Sequence, residues 1–375
     1  MRGIRQDRPG PAGRTGGSAR RRGRAAALLA GGVAAATLTT VLAGAAAAST
    51  PSWRIVKTIH GPNLFGITAV AASAPGHAWA FESGQGKPSE WRLTGSTWAP
   101  VTFPGRSGDM VTAAGATSAS NVWAFSSLPG GNGRALRWDG AHWTVVRSFR
   151  QAIGGALVLG PANVWVFGAA STPGSGLGTW HYNGATWRRF PGLGQLSGAS
   201  ALSPRNIWAV GGKTAAHWNG TGWSVTSLAG VLPRNTLFCH PSADYAVARS
   251  DRDVWAVGAG NCQDEQGPFY LLHYNGVRWR LVAQSARYGA PQGVAPDGAG
   301  GLWIPTVAGS PGTFAMLHYA GGVLNRAAMP LPGTRLTVDA VAHAPHSAVT
   351  FGGGASYPAS NPGLNRAPVI LRYGP

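Results

Sequence analysis

Two apolar patterns alternate along this chain at a regular interval. The first is a short run centred on tryptophan, such as Asn163-Val-Trp-Val-Phe-Gly168, in which β-branched and aromatic residues follow one another. Such a run predicts a strand that is buried on both faces. The second is His217-Trp-Asn-Gly-Thr-Gly-Trp223, where aromatic residues flank an Asn-Gly pair. This arrangement is a strong sequence signal for a β-hairpin.

The tryptophan run occurs seven times. A degenerate copy lies at Ala348–Phe351, and the six clear copies are centred on Trp79, Trp123, Trp165, Trp208, Trp255 and Trp303. A period of about 40 to 50 residues is typical of propeller blades, each a four-stranded sheet that cannot bury its faces alone. The sequence therefore predicts an all-β fold, a seven-bladed β-propeller of four-stranded blades, formed by residues 49–375 as a single domain.

Each repeat is predicted to contain four short strands. The first consists of small apolar residues, as in Ile67–Ala72 or Leu196–Leu202, which suits a crowded position near the propeller axis. The tryptophan run is the second strand, the third ends in His-Tyr or His-Trp, and the fourth begins with Trp. The expected hairpins between the third and fourth strands contain Asp139-Gly140, Asn183-Gly184, Asn219-Gly220 and Asn275-Gly276.

The two ends of the repeat region complement each other. The last repeat stops after a third strand, Val369–Tyr373, whereas Trp53–Val56 resembles a fourth strand that no blade precedes. We expect these segments to pair, because this pairing closes the ring and leaves no open blade edge at the junction.

Residues 1–48 have the form of a secretory signal peptide. A basic region that includes Arg20–Arg22 and Arg24 is followed by an apolar stretch, Ala25–Ala43, and by the small residues Ala46–Ala48. This order predicts export of the chain, either into the medium or to the cell wall. The alternative is an uncleaved N-terminal anchor. Beyond residue 48 the sequence has no apolar run of about 18 residues, the length that a membrane-spanning helix needs.

The chain has two cysteines, Cys239 and Cys262. In an exported protein such a pair predicts a disulfide. The repeat register places Cys239 in the loop entering blade five and Cys262 in the loop after that blade's second strand, on one face of the propeller. Two reduced, buried cysteines are the other interpretation. No metal site is predicted, since no set of ligands has a suitable spacing.

The charge favours acidic partners. The whole chain has 31 basic and 12 acidic residues, and removal of residues 1–48 leaves 23 and 11, a net charge of +12. A basic protein attracts anionic wall polymers and acidic glycans. The arginines are scattered among the repeats and match no nucleic-acid-binding motif, which argues against nucleic acid as a partner. The alternative, which the scatter of the arginines favours, is that the charge is mostly a solvated surface.

The sequence assigns no catalytic residue and no cofactor. It lacks the nucleophile elbow, the zinc-protease motif and the dinucleotide-binding glycine pattern. Four histidines occupy one equivalent position in four blades, which indicates a structural role: His181, His217, His273 and His318.

Two loops depart from the repeat and supply the candidate binding residues. Asp264 and Glu265 lie in the non-repeated loop 258–269, and Arg234 and His240 lie in the longest inter-blade connection, 226–242. Both loops are predicted on the same face. Departures from a repeat indicate segments that the fold does not require, and such loops often bind ligands. The alternative is that these are solvated loop residues.

The repeats resemble known families at the level of the blade. The strand order is similar to that of tectonin-type lectin propellers over nearly all of residues 53–373. The hairpin at Trp138-Asp139-Gly140 resembles the sialidase Asp-box in its position and its Gly-x-x-Trp ending, but lacks the Ser-x-Asp-x-Gly spacing. The whole pattern is similar to the secreted tryptophan-rich propeller repeats of high-GC Gram-positive bacteria, a resemblance that implies fold more than function.

Two hypotheses of function follow. The first is a secreted, monomeric, non-catalytic binding or scaffold propeller whose loop face recognises a glycan, an anionic wall polymer or an extracellular protein. The second is an extracellular polysaccharide-active hydrolase or lyase that uses Asp264, Glu265 and His240. The second requires these side chains to converge near the central channel. The scarcity of carboxylates in the chain favours the first.

Overall fold

The chain folds as a seven-bladed β-propeller. The computed structural model describes residues 51–62, 64–128, 131–168, 176–262, 266–308, 314–331, 334–358 and 366–375. These residues form 31 strands in seven antiparallel sheets and contain no helix. The predicted fold class is confirmed, while the predicted signal peptide, residues 1–48, lies outside the described residues.

Blades one to four contain four strands each, in chain order from the axis outwards. Strand β1, Arg54–Thr58, precedes them and belongs to blade seven. Blade one contains β2 Leu64–Ala74, β3 His77–Gly84, β4 Ser89–Thr94 and β5 Thr97–Val101. Blade two contains β6 Met110–Ser118, β7 Asn121–Ser127, β8 Gly133–Trp138 and β9 Trp143–Phe149. Blade three contains β10 Gly155–Gly160, β11 Asn163–Gly168, β12 Gly178–Tyr182 and β13 Trp187–Phe190. Blade four contains β14 Gly198–Ser203, β15 Asn206–Gly211, β16 Thr214–Trp218 and β17 Trp223–Ser227.

In blades five to seven the innermost strand is divided into two short strands. Blade five contains β18 Cys239–Pro241, β19 Tyr245–Ser250, β20 Asp253–Cys262, β21 Gln266–Tyr274 and β22 Trp279–Ser285. Blade six contains β23 Tyr288–Pro291, β24 Ala295–Pro296, β25 Leu302–Ala308, β26 Phe314–Ala320 and β27 Val323–Arg326. Blade seven contains β28 Thr334–Leu336, β29 Ala340–His343, β30 Thr350–Pro358 and β31 Ala367–Tyr373.

The second strand of each blade is buried on both faces. In β3 the side chains of Trp79 and Phe81 pack towards blade two, whereas Ala78 and Ala80 pack towards blade seven. The same division recurs around the ring, so the described core consists of seven hydrophobic clusters, one at each blade junction. This double burial explains why the strand is uniformly apolar.

Small residues let the inner strands approach one another closely. A Cβ atom at Gly155 would collide with the carbonyl of Ser197 in blade four, and one at Gly198 would collide with the backbone of Asp244 in blade five. The glycines thus bring neighbouring inner strands together around the axis. Hydroxyl groups add links between blades: Thr68 donates to the carbonyl of Val111 at 2.8 Å, and Thr112 donates to that of Ile153 at 2.9 Å.

Strand β1 closes the ring as the outermost strand of blade seven. It pairs antiparallel with β31, with Arg54 opposite Arg372 and Thr58 opposite Val369. Trp53 is buried beside this pairing, where its ring packs against Trp303 of blade six at a centroid distance of 5.3 Å. The first and last of the described strands therefore share one sheet, and blade seven gains its outermost strand from the start of the propeller.

The hairpins form at the predicted sites, but the asparagine plays a different part from the one expected for an Asn-Gly pair with positive φ. In the loop after β16 only Gly220 has a positive φ, of 95°. Asn219 instead accepts hydrogen bonds from the backbone N–H groups of Thr221 and Gly222 through its side-chain oxygen, at 3.0 and 2.9 Å. Asparagine thus contributes an Asx-type turn, and glycine alone supplies the left-handed backbone.

Removal of residues 52–56 tests the closure of the ring. The deletion removes Trp53 and most of β1, so blade seven loses its outer strand and the packing against Trp303. We expect a loss of at least about 3 kcal/mol in the free energy of unfolding, as for removal of a buried tryptophan alone. Thermal and urea unfolding of the chain from residue 49 onwards measure the effect. Deletion of residues 49–51 is the control, and an equal melting temperature for both deletions would contradict the role of β1.

Candidate functional site

Cys239 and Cys262 form the predicted disulfide. The bond joins β18 to β20, and the two cysteines lie directly opposite each other in the strand register. Cys239 is in the connection that enters blade five, and Cys262 lies where β20 ends, so both are on the loop face, as the repeat register predicted. The bond fixes the end of the long inter-blade connection to its blade.

A cleft of about 920 Å³ lies on this face, over blades three to five. Its lining comes from the loops after the second strands and from the connections between blades. The lining residues with polar side chains are Arg189, Gln195, Lys213, Asn235, His240, Ser242 and Asn261, and six glycines also line the cleft.

The cleft exists because blade four has a short turn between two taller neighbours. Strands β15 and β16 are joined by only Gly212 and Lys213. The connection before β18 and the end of β20 extend further on the blade-five side, where His240 and Asn261 lie opposite each other in the register. At the end of β15 a side chain on Gly211 would collide with the backbone of Gln195 and Leu196, so glycine is required there.

The cleft contains two cationic side chains and one imidazole. Arg189 is exposed on β13, Lys213 lies on the turn of blade four, and His240 is exposed on β18. The Lys213 ammonium group donates to the carbonyl of Pro233 at 2.7 Å, which ties the long inter-blade connection to blade four. No Asp or Glu occurs among the described lining residues. The cleft therefore offers positive charge and several hydrogen-bonding groups to a ligand.

Several acidic residues of the described chain are engaged in ion pairs away from the cleft. Glu90 pairs with Arg92 at 2.7 Å, and Asp109 forms a buried pair with Arg134. Asp253 pairs with Arg249 at 2.7 Å. These carboxylates neutralise cations within blades one, two and five, so they do not offset the charge of the cleft.

The structure brings one of the predicted site residues, His240, into the cleft. Arg234 does not line the cleft. It is exposed and precedes Asn235, which is a lining residue. Asp264 and Glu265 lie outside the described residues. Asp264, Glu265, His240 and Arg234 therefore remain a predicted set, of which only the two basic members are placed.

Sequence reasoning missed Arg189, Lys213 and Asn261. Arg189 lies in an outer strand that the repeat pattern assigned to blade packing. Lys213 had a usable signal: the repeated tryptophan and histidine are 9 residues apart in blade four (Trp208 and His217), against 16 in blade three and 18 in blade five. A short turn between long loops predicts a depression in the loop face. Lys213, the charged residue of that turn, is then a candidate binding residue at the bottom of the depression.

The four repeated histidines serve blade packing. In blade three His181 stacks on Trp165 at a centroid distance of 4.2 Å, and its Nε2 lies 3.0 Å from the side-chain oxygen of Asn163. The same oxygen accepts the indole N–H of Trp165 at 3.0 Å. Equivalent stacked pairs are Trp208 with His217, Trp255 with His273 and Trp303 with His318.

The partner of the histidine is an asparagine or an aspartate. In blade six Asp297 accepts from His318 at 2.8 Å, and the contact with this histidine and two backbone N–H groups holds the pKa of Asp297 below its usual range despite its burial. Burial lowers the pKa of His181 and of His217. In the described part of the chain no group of three or more His, Cys, Asp or Glu side chains could hold a metal ion.

A second, smaller cavity of about 220 Å³ lies on the axis, lined by the inner strands of all seven blades. Its ionisable groups are Asp339 and Tyr245. Burial raises the pKa of Asp339 to about 6, although Thr337 donates a hydrogen bond to its carboxylate at 3.2 Å. Burial, with a smaller contribution from Asp244, raises the pKa of Tyr245 to about 12.

Comparisons with known proteins agree on the fold. No protein-family model and no curated protein sequence matches the chain. Among solved structures, YCF48 bound to a D1 peptide has a TM-score of 0.56 at 15% identity, covering 86% of this chain and 97% of that chain. The virginiamycin B lyase of Staphylococcus aureus, a catalytically inactive variant with quinupristin, has a TM-score of 0.56 at 10% identity, covering 87% and 100%.

A xyloglucanase of family GH74 from Xanthomonas campestris has a TM-score of 0.55 at 15% identity, covering 81% of this chain and 52% of that chain. At these identities the likeness concerns the propeller fold alone, because one fold supports many functions. The finer resemblance to tectonin-type repeats stays a prediction. No helix that could cross a membrane occurs in the part of the chain that the structure describes.

The ionisation of Asp339 predicts a pH-dependent stability. Its pKa in the folded chain, about 6, exceeds the ordinary value of 3.8. The contribution of Asp339 to stability is therefore complete below about pH 4 and is lost as the pH rises through about 6. The free energy of unfolding changes by at most about 3 kcal/mol over this range. Asp339→Asn should raise the free energy of unfolding at pH 7 by up to that amount and have little effect at pH 3.5.

Urea unfolding at several pH values measures this effect. Asp139→Asn is the control with the opposite sign, because hydrogen bonds from the backbone N–H groups of His142 and Ala141 lower the pKa of the exposed Asp139. This substitution should therefore not raise the free energy of unfolding at pH 7. A stability gain for Asp339→Asn that is the same at both pH values would contradict the raised pKa.

Proposed function

We propose that this chain is an exported, non-catalytic binding propeller whose loop-face cleft holds an anionic macromolecular ligand. The observation that carries the proposal is the cleft of about 920 Å³ with Arg189, Lys213 and His240 in its lining and no described carboxylate. Carboxylate or phosphate groups of a ligand would complement the charges of Arg189 and Lys213, and the imidazole of His240 would add a hydrogen bond. The amides of Gln195, Asn235 and Asn261 would add hydrogen bonds that fix the orientation of the ligand.

The position of the cleft supports a binding role. Its walls are connections between rigid blades, and binding residues are often carried on loops that a scaffold positions. The disulfide and the hydrogen bond from Lys213 to Pro233 hold the connection before β18 in place. A preformed site loses less conformational entropy when it binds than a flexible one.

The export of the chain belongs to the same proposal. The basic and apolar segments of residues 1–48 predict a signal peptide, and a disulfide is the usual state of cysteines in an oxidising compartment. Both features fit an extracellular or wall-associated protein whose positive charge meets anionic polymers.

The alternative of a polysaccharide-active hydrolase or lyase is less well supported. It needs a carboxylate beside His240, and the described lining supplies three amides, the hydroxyl of Ser242 and two cationic side chains instead. In the central cavity, Asp339 is the carboxylate with a raised pKa, but that cavity does not include His240. A glycosidase requires two carboxyl groups at a defined separation.

Substitution of Arg189 tests the cleft as the anion site. Arg189→Gln removes one charge and keeps a hydrogen-bonding side chain, so we expect affinity for polyglutamate and polygalacturonate to fall about tenfold. Isothermal titration calorimetry on residues 49–375 at about 50 and 500 mM salt measures the effect, which should shrink at the higher salt.

Arg280→Gln provides the matched control. Arg280 is exposed on β22 of blade five, outside the lining of the cleft, and its substitution changes the net charge equally. Neutral dextran controls for binding that needs no anionic group. If both arginine variants lose affinity to the same extent, the charge acts as a general surface property and the proposed site is wrong.

A further inference from the structure

A small turn beside the cleft exposes two large apolar side chains. In the segment Thr236–Cys239 the side chain of Leu237 is 79% exposed and that of Phe238 is 58% exposed. A single exposed apolar residue is ordinary on a protein surface, but two adjacent ones at the tip of a turn form a small apolar patch. We name these two residues the apolar tip.

The apolar tip is held in a fixed conformation. The backbone N–H of Thr236 donates to the carbonyl of Cys239 at 2.9 Å, and the N–H of Cys239 donates to the hydroxyl of Thr236 at 3.0 Å. The disulfide then joins Cys239 to β20. These restraints keep Leu237 and Phe238 on the surface in the free protein. A covalently restrained turn loses little conformational entropy when it binds, because its conformation is already set.

The apolar tip lies at the rim of the cationic cleft. Asn235 precedes it, His240 follows it, and both of these residues line the cleft. Phe238 and His240 are two residues apart, so their Cα atoms are separated by at most about 7 Å. A ligand that fills the cleft next to His240 therefore also reaches the apolar tip.

From this juxtaposition we infer that the ligand of the cleft is an acidic polypeptide segment that carries apolar side chains a few residues from its acidic ones. The inference rests on the proposed function and narrows it. The acidic groups complement the charges of Arg189 and Lys213 and accept a hydrogen bond from His240, and the apolar groups cover Leu237 and Phe238. A polypeptide places both kinds of side chain within a few residues, at about 3.3 Å per residue when extended.

Other anionic ligands fit the surface less well. An acidic polysaccharide supplies carboxylates but no side chains that can enclose Leu237. An anionic bilayer would accept the apolar tip, yet a flat bilayer surface leaves a concave cleft of about 920 Å³ largely unfilled. Burial of apolar side chains next to matched charges is the usual composition of a protein–protein contact.

Synthetic peptides of about 12 residues test the inference, since such a length spans up to about 40 Å when extended. Each peptide is rich in glutamate and carries two adjacent leucines, whose position is moved along the set. The matched peptides carry serines in place of the leucines. Fluorescence anisotropy on residues 49–375 measures affinity. We expect at least one leucine peptide to bind about tenfold more tightly than its serine partner.

Variants assign this preference to the apolar tip. Leu237→Ser/Phe238→Ser should abolish the preference for leucine and keep the weaker affinity for the serine peptides. Val277→Ser is the control, since Val277 is 83% exposed on the hairpin before β22, away from the cleft. Circular dichroism and thermal unfolding establish that each variant keeps the fold, which the exposure of the substituted side chains favours.

Three outcomes would overturn the inference. In the first, no leucine peptide in the set binds better than its serine partner. In the second, the double variant keeps the preference for leucine. In the third, the double variant instead loses affinity for polygalacturonate or for phosphatidylglycerol vesicles, which would assign the apolar tip to a glycan or to a bilayer. These outcomes can be told apart from a failure of the proposed function. If the cleft is not an anion site, Arg189→Gln leaves the binding of every anionic probe unchanged.

Discussion

The structure depends on the burial of each blade against its two neighbours. The second strand of a blade is apolar on both faces, and neither face is covered within its own sheet. Trp79 and Phe81 are covered by blade two, and Phe351 of blade seven is covered by blade one. Seven hydrophobic junctions therefore have to form together, and the last of them needs the strand at Arg54–Thr58 to complete blade seven. A ring of this kind has no terminal blade whose face would remain in water.

This constraint separates the parts of the chain that pack from the parts that are free to bind. The repeated tryptophans, histidines and asparagines are engaged with one another inside the blades, as in the group formed by Asn163, Trp165 and His181. Their side chains contribute to the scaffold and present little chemistry to a ligand. The loop face carries the departures from the repeat: the short turn at Gly212-Lys213, the long connection before β18 and the disulfide. The cationic cleft results from these differences in loop length between adjacent blades.

Electrostatics follows the same separation. Glu90, Asp109, Asp253 and Asp297 are paired with arginine or histidine within the blades. The net positive charge of the chain is thus displayed by residues that have no such structural partner. Arg189 and Arg234 are exposed examples on the loop face. A basic protein built in this way attracts acidic ligands generally, and the shape of the cleft with its apolar tip determines which of them bind with selectivity.

The sequence by itself determined the seven-bladed fold, the division of each repeat into four strands, the hairpin positions and the pairing of Cys239 with Cys262. These features repeat with a fixed period, so each copy supports the interpretation of the others. It also pointed to His240 and Arg234, because they lie where the repeat is interrupted. Only the tertiary structure decided that Arg189, Lys213 and His240 share one cleft with Leu237 and Phe238 at its rim. Those residues come from three blades, and the heights of their loops are set by packing between blades rather than by any local pattern. The asparagine of the hairpins shows the same limit of sequence-based prediction on a smaller scale. Its position followed from the repeat. Only the folded backbone showed that it acts through its side-chain oxygen and not through a positive φ.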